Sequence, residues 1–428
     1  MAVQMLKKIC FFTFFMIFLT SPAWALKSVE EQRKDWDKWL TSLKKEMIER
    51  GISKKTIDEA YANDYFHAIK PSVIKHDKKQ AEFVLTSDVY INKLVNADKV
   101  KKARKHHADL YKSYKKLSEE TGVPLNYLVA FWGVETHFGY NKGKYHLIDG
   151  LTNLSYRNRR AKFFKQELYN VLKIMDKYDL SGEKMKGSWA GAMGHFQFMP
   201  STYNAYAVDY DGDGVADIWD NFGDAIASAA NYLSKLGWKS DEPWGQEVIL
   251  PWNFDYSLVG LKKYKSVEDW KKLGVIGADG KALKLPNSAA AGIILPDGRH
   301  GRAYITLSNF RRIMIWNRSI NYALAIVKLA EYAENDKKFS PLIEKVKYKL
   351  TDEDIIKVQH FANRVMRAEL KEDGRLGPKT SAAVKKLQRK WGLPQDGTPD
   401  YILLSKIKHY KSSSDFMPPP QPKKPKQL

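Results

Sequence analysis

The sequence predicts a mainly α protein of α+β type, with a small β or loop region between about residues 245 and 310 and a separate module near the C-terminus. Three observations carry this. Apolar residues recur at three- and four-residue spacing through long stretches of the chain, the pattern of amphipathic helices. Short alternating runs and Gly-Pro-Asp turns are concentrated between 245 and 310. At 428 residues the chain is well over the ~150 of a common domain, so two or three folded units are expected. With 44% apolar and 28% charged residues, it is a globular chain and not a disordered one.

The elements follow in order. Lys7 and Lys8 precede the apolar run Ile9 to Leu19 and the small-x-small site Ala23-Trp24-Ala25, which reads as a secretory signal cleaved near Ala25. That run is shorter than the ~20 residues of a membrane span, and no later stretch reaches that length, so a periplasmic protein without a transmembrane segment is expected. Cys10, the only cysteine, leaves with the signal and sits too early for a lipoprotein acylation site; a disulfide, a zinc-thiolate site and a catalytic Cys are all excluded. Trp36, Trp39, Leu40, Leu43 and Met47 mark a first helix. A second runs from Pro124, a favoured first-turn residue, to Gly139, and another resumes at Asn321. Residues 350 to 410 form the separate module, joined through Ser340-Pro341 and a Lys-rich stretch. The tail after about 411, rich in Pro and Lys, is expected to be disordered.

Three segments carry chemistry. In Asp209-Tyr-Asp211-Gly-Asp213-Gly214-Val215-Ala-Asp217-Ile-Trp-Asp220, Asp falls at positions 1, 3, 5, 9 and 12, Gly at 6 and the Val215 carbonyl at 7, as in an EF-hand calcium loop. Asp220 stands where a longer Glu is usual; the alternative is an acidic surface turn. In the helix before Gly139, Glu135 shares a face with Leu128 and Trp132, where a raised pKa would suit a general acid. The competing assignment is an exposed Glu near a helix end, or one paired with a Lys. In Ser188-Trp-Ala-Gly191-Ala-Met-Gly194-His-Phe-Gln197, closely spaced glycines suggest close backbone approach, while Ser188 and Gln197 offer hydrogen bonds; a loop that merely packs tightly would look the same. No Gly-x-Ser-x-Gly or His-Glu-x-x-His occurs, which argues against a serine hydrolase or a metalloprotease.

Together, GVETHFG around Glu135, SWAGAMGHFQFMPSTY from Ser188 to Tyr203, the Asp209–Asp220 loop, ASAANYLSKLGW from Ala227 to Trp238 and the stretch from Trp316 to Ala325 resemble the lytic murein transglycosylase B family. The resemblance covers about residues 30 to 335. It implies a lysozyme-like helical catalytic domain that cuts peptidoglycan, with Glu135 as the catalytic acid and Ser188, Gln197, Tyr232, Asn317 and Tyr322 as sugar contacts. Tyr90 is a further candidate, and Trp316 departs from the Tyr usual before the Asn. From Asp373-Gly374 to Asp396-Gly397 the chain resembles the peptidoglycan-binding module of three short helices. There, a helix capped near Thr380 places Ala383, Val384, Leu387 and Trp391 on one apolar stripe.

The expected organisation is a signal peptide over 1–25, a catalytic domain over 26–345, a binding module over 346–411 and a tail over 412–428. The family implies cleavage of the MurNAc-GlcNAc β-1,4 bond with 1,6-anhydromuramyl products, for wall remodelling or turnover. No organic cofactor is expected, and a structural Ca²⁺ is. Peptidoglycan strands and periplasmic wall enzymes are the expected partners. The alternatives are a non-catalytic wall-binding protein and a lysozyme-type hydrolase. A nucleic-acid binder is the reading that the net charge of +22 raises by itself, but it is opposed by the export signal and by the lack of a nucleic-acid motif.

Overall fold

The structure, a computed structural model, describes residues 29–62, 85–156, 160–251, 254–345 and 350–411. The expected signal peptide and C-terminal tail lie outside the described residues. Among the described residues no helix is long and apolar enough to cross a membrane.

The largest core is helical. Helix Val29–Glu49 buries Trp36, Leu40, Leu43 and Met47, the stripe its spacing predicts, and Trp36 meets Tyr156 edge-on at 5.0 Å. At the centre lies helix Leu125–Thr136, whose LNYLVAFWGVET is apolar on nearly every side. Such a helix is stable only when surrounded. Helices Ala97–Thr121 and Ile320–Glu334 pack against it, and Leu128, Val129, Ala130 and Phe131 are fully buried. Helices Leu147–Ser155, Ala161–Tyr178, Pro200–Tyr206 and Phe222–Lys235 also bury residues in this body.

The central helix ends earlier than the spacing predicts. Its last residue is Thr136, and His137, Phe138 and Gly139 all follow in the left-handed region, at φ 53, 59 and 81°. Thr136 explains the stop. Its hydroxyl donates to the carbonyl of His195 at 2.8 Å and accepts from the amide of Gly139 at 3.0 Å, so the chain turns where a side chain replaces the next helical hydrogen bonds.

The 245–310 region is an antiparallel five-stranded sheet, in the order Lys265–Ser266, Ala290–Ile294, Ala303–Thr306, Gly245–Ile249, Ile276–Gly277. Ile293 lies opposite Ile305, and Glu247 opposite Tyr304. One face buries Trp270, Val267, Ile293 and Ile305 in a core of its own, where the Trp270 indole donates to the carbonyl of Ala291 at 2.9 Å.

A third core belongs to helices Asp352–Met366, Pro378–Lys390 and Tyr401–Lys408. The Ala383, Val384, Leu387 and Trp391 stripe is buried there as expected, with Trp391 stacked on Phe361. The cap differs from expectation. Gly377 is the N-cap of the middle helix and Pro378 its first residue, because proline lacks the N–H that the first turn leaves free; Thr380 lies inside and is buried. Two buried glutamines repeat one device. Gln359 accepts from the amide of Gly374 and donates to Asp373, and Gln388 accepts from the amide of Gly397 and donates to Asp396, so each fixes an Asp-Gly turn.

The C-terminal module meets the loop between strands Ala290–Ile294 and Ala303–Thr306 through polar contacts. The Arg299 guanidinium pairs with Asp400 at 2.9 Å, the Arg299 amide donates to Asp396 at 3.1 Å, and Oδ1 of Asp400 caps the last helix at the Leu403 amide. The joining stretch around Ser340-Pro341 is also fastened down. Asn92 exchanges hydrogen bonds with the backbone of Leu342, and Asp88 accepts from the amide of Lys345.

Candidate active site

The site forms where the end of helix Leu125–Thr136 faces the corner between helices Ser308–Trp316 and Ile320–Glu334. Glu135, next to last in its helix, keeps part of its surface open to solvent. Its Oε1 accepts from the Trp316 indole at 3.0 Å and from the Tyr322 hydroxyl at 2.5 Å. Burial pushes the Glu135 pKa up to about 7, against the pull of these two hydrogen bonds, which favour the charged form. Among the described residues no charged neighbour contributes to that shift. A carboxyl balanced in this way holds a proton at neutral pH and can release it.

The apolar wall differs from the one read from helical spacing. Trp132 donates its indole N–H to Nδ1 of His195 at 3.0 Å and packs on Phe222. Phe131, one helical turn before Glu135, meets Trp316 at 4.4 Å and Tyr322 at 6.4 Å between ring centroids. Trp316, a departure from the family pattern in sequence, is thus a direct partner of the carboxyl. The donor capacity of an indole close before Tyr322 was the available signal. Tyr322 itself is buried, and burial together with the Glu135 charge raises its pKa well above the ordinary value. Tyr90 is buried and close enough to raise the Tyr322 pKa further.

The glycine-rich segment is stapled to this helix end. Gly194 sits at φ 68°, where a Cβ would lie 2.4 Å from the carbonyl oxygen of Ile218, so only glycine lets the two backbones meet. Gln197 also adopts a left-handed conformation, φ 52°, held by hydrogen bonds from its Nε2 to the carbonyls of Lys142 and Gly194, both at 3.1 Å. Among the described residues its Oε1 accepts no hydrogen bond. Ser188 Oγ accepts from the amides of Ala192 and Ala190 and keeps its own proton to donate. His195, between the two segments, has its pKa pushed down to about 4 by burial and is neutral, which suits a structural acceptor for Trp132.

Of the remaining predicted contacts, Tyr232 lies between Tyr206 and Trp316, its ring tilted against theirs at 4.5 and 5.1 Å between centroids. Asn317 follows helix Ser308–Trp316, where its Oδ1 accepts from the amide of Ser319 at 3.1 Å.

The acidic loop is only partly gathered. Asp209, Asp211 and Asp213 offer oxygens that all lie within 4.8 Å of one another, and Gly214 turns the chain at φ 97°. Three converging carboxylates fit a hard, oxygen-seeking cation. Hydrogen bonds from the amides of Gly214, Gly212 and Asp213 hold the Asp209 carboxyl below its usual range. Asp217 instead accepts from the amides of Trp219 and Asp220, and Asp220 lies 3.6 Å from the Lys142 ammonium. Val215 stands in the loop with its amide bonded to Asp213 at 2.8 Å. An acid that sequence reasoning missed closes the loop: buried Asp224 accepts from the amides of Tyr210 and Asp217, both at 2.8 Å. Its place in the first turn of helix Phe222–Lys235, right after the loop, was the signal.

Comparison with known proteins places this helical body, closed on one partly buried carboxyl, in the transglycosylase class. Residues 35–331, more than half of the chain, match the transglycosylase SLT domain family, and the chain belongs to it. Residues 351–407 match the peptidoglycan binding domain family. The chain is 37% identical over 217 residues to the membrane-bound lytic murein transglycosylase B of Escherichia coli (strain K12), a match spanning 49% of this chain and 57% of that protein. SltB3 from Pseudomonas aeruginosa, in complex with NAG-anhNAM-pentapeptide, is 34% identical with a TM-score of 0.80, covering 87% of this chain and 99% of that one. The Escherichia coli lytic transglycosylase Slt35 in complex with calcium is 28% identical with a TM-score of 0.59, covering 68% and 91%.

Proposed function

We propose that the protein is a periplasmic lytic transglycosylase that cleaves the MurNAc-GlcNAc β-1,4 bond of peptidoglycan and leaves 1,6-anhydromuramyl ends. The observation that carries this reading is that, among the described residues, no second acid is hydrogen-bonded to Glu135 or shifts its pKa. Paired-carboxylate glycosidases need a second acid as nucleophile or water-activating base, whereas the Glu135 pKa is set by burial and two neutral donors alone. One group then serves twice. Protonated Glu135 donates to the glycosidic oxygen as the C1–O bond breaks. As carboxylate it takes the proton of the muramyl C6 hydroxyl, whose oxygen closes on C1, and no water is consumed. Ser188, Gln197, Tyr232, Asn317 and Tyr322 orient the glycan for both steps.

Residues 26–345 form the catalytic domain in this reading, and 346–411 hold the wall through a module related to peptidoglycan binding domains. The signal-like segment over 1–25 supports export. Asp209, Asp211 and Asp213 would hold a structural Ca²⁺, a reading supported by the calcium complex of a related enzyme.

Mass analysis of sugars released from purified sacculi tests the function directly. Anhydromuramyl ends are expected from the wild type, and Glu135→Gln is expected to bind glycan while losing nearly all turnover. Reducing muramic ends would instead identify a lysozyme-type hydrolase.

A further inference from the structure

Building on the acid–base reading of Glu135, we propose that Trp316 is a positioning residue that acts with Tyr322 to fix Oε2 of Glu135 as the oxygen through which the proton passes. Both donors end on the same atom, Oε1, at 3.0 and 2.5 Å. Among the described residues Oε2 has no protein partner. An indole N–H can only donate, so Oε1 must act as an acceptor whichever charge state the carboxyl is in. In the neutral acid the hydroxyl oxygen is the poorer acceptor, and two donors on Oε1 therefore place the proton on Oε2. The phenol of Tyr322 stays a donor, because burial and the Glu135 charge hold it far from ionisation.

The direction of the indole N–H is itself built in. The Trp316 ring is walled by Phe131 at 4.4 Å, Tyr232 at 5.1 Å and Phe198 at 5.3 Å. Trp316 closes one helix and Tyr322 lies in the first turn of the next, so the pair of donors is a product of the helix corner at 317–319. In the first step the Oε2–H bond breaks, the proton moves to the glycosidic oxygen, and negative charge gathers on Oε1 against two donors. In the second, Oε2 accepts the C6 hydroxyl proton as the O6–C1 bond forms.

The test uses the full mature chain with Trp316→Phe and Tyr322→Phe. It follows kcat and KM on soluble glycan across pH, the carboxyl ¹³C resonance of Glu135, and circular dichroism as a check of folding. Trp316→Phe keeps an aromatic wall and removes one donor to the charged form. It should lower kcat by roughly 10-fold or more with KM little changed. The alkaline limb of the pH profile and the Glu135 titration should both move upward by roughly one pH unit. If Trp316→Phe does not fold, the same upward titration shift is expected in Tyr322→Phe, which removes the other donor. Unchanged titration and kcat in a folded Trp316→Phe variant, or a downward shift in either variant, would overturn the assignment. A wild type that forms no anhydro ends would overturn the reading of the reaction, while the Glu135 titration would still decide the hydrogen-bond assignment.

Discussion

Glu135 leaves a mark on stability as well as on chemistry. Its pKa is about 7 in the folded protein, against 4.5 for the free side chain, so the folded state binds the proton more tightly than the unfolded one. The stabilisation from that proton is fully present below about pH 4.5 and is lost as pH rises through 7. Glu135→Gln never pays the burial cost of a carboxylate, and its amide oxygen can still accept from Trp316 and Tyr322. The variant should therefore match wild type near pH 4 and exceed it by up to about 3 kcal/mol at pH 9, read as a growing difference in Tm. At this scale the sequence singled out Glu135 and, through the family resemblance, Tyr322, and was silent about their meeting. Helical spacing puts Leu128, Trp132 and Glu135 on one stripe, but Trp316 is 181 residues from Glu135, and only the fold brings its N–H to the carboxyl. The same limit explains Trp132, whose place on the stripe is overridden by a hydrogen bond to His195 from another segment.

At the scale of elements, helix bodies were legible and helix ends less so. Periodicity marks where a helix buries its face, whereas its end depends on side chains such as Thr136 that bond across to a different segment. The acidic loop shows the same division. Its local Asp spacing is visible in sequence and gathers Asp209, Asp211 and Asp213, while Asp217 and Asp220 are drawn to turn amides and to Lys142. The exposed, like-charged trio repels itself in the absence of a cation. Added Ca²⁺ should therefore raise Tm by mass action and a chelator should lower it, and Asp213→Ala should abolish both responses. A Tm indifferent to Ca²⁺ in the wild type would leave the loop as an acidic turn.

For the whole molecule, the β region and the C-terminal module were legible as shifts in pattern along the chain, but the contacts that join them were not, because Arg299, Asp396 and Asp400 lie outside helices and strands, with no periodic signature. Deleting 346–428 should weaken binding to sacculi and leave cleavage of short soluble glycans largely intact, as measured by pelleting and by product release; equal loss of both would count against a wall-binding role. The Arg299–Asp400 pair is well shielded, with its side chains 12% and 20% exposed, and Asp400 simultaneously caps the last helix. A module on a loose tether would only concentrate the enzyme near the wall. Docked through such contacts, a module that binds the wall would stand at a set distance from Glu135 and act as a ruler laid along the glycan. Fragment lengths from long strands would then carry the imprint of that distance.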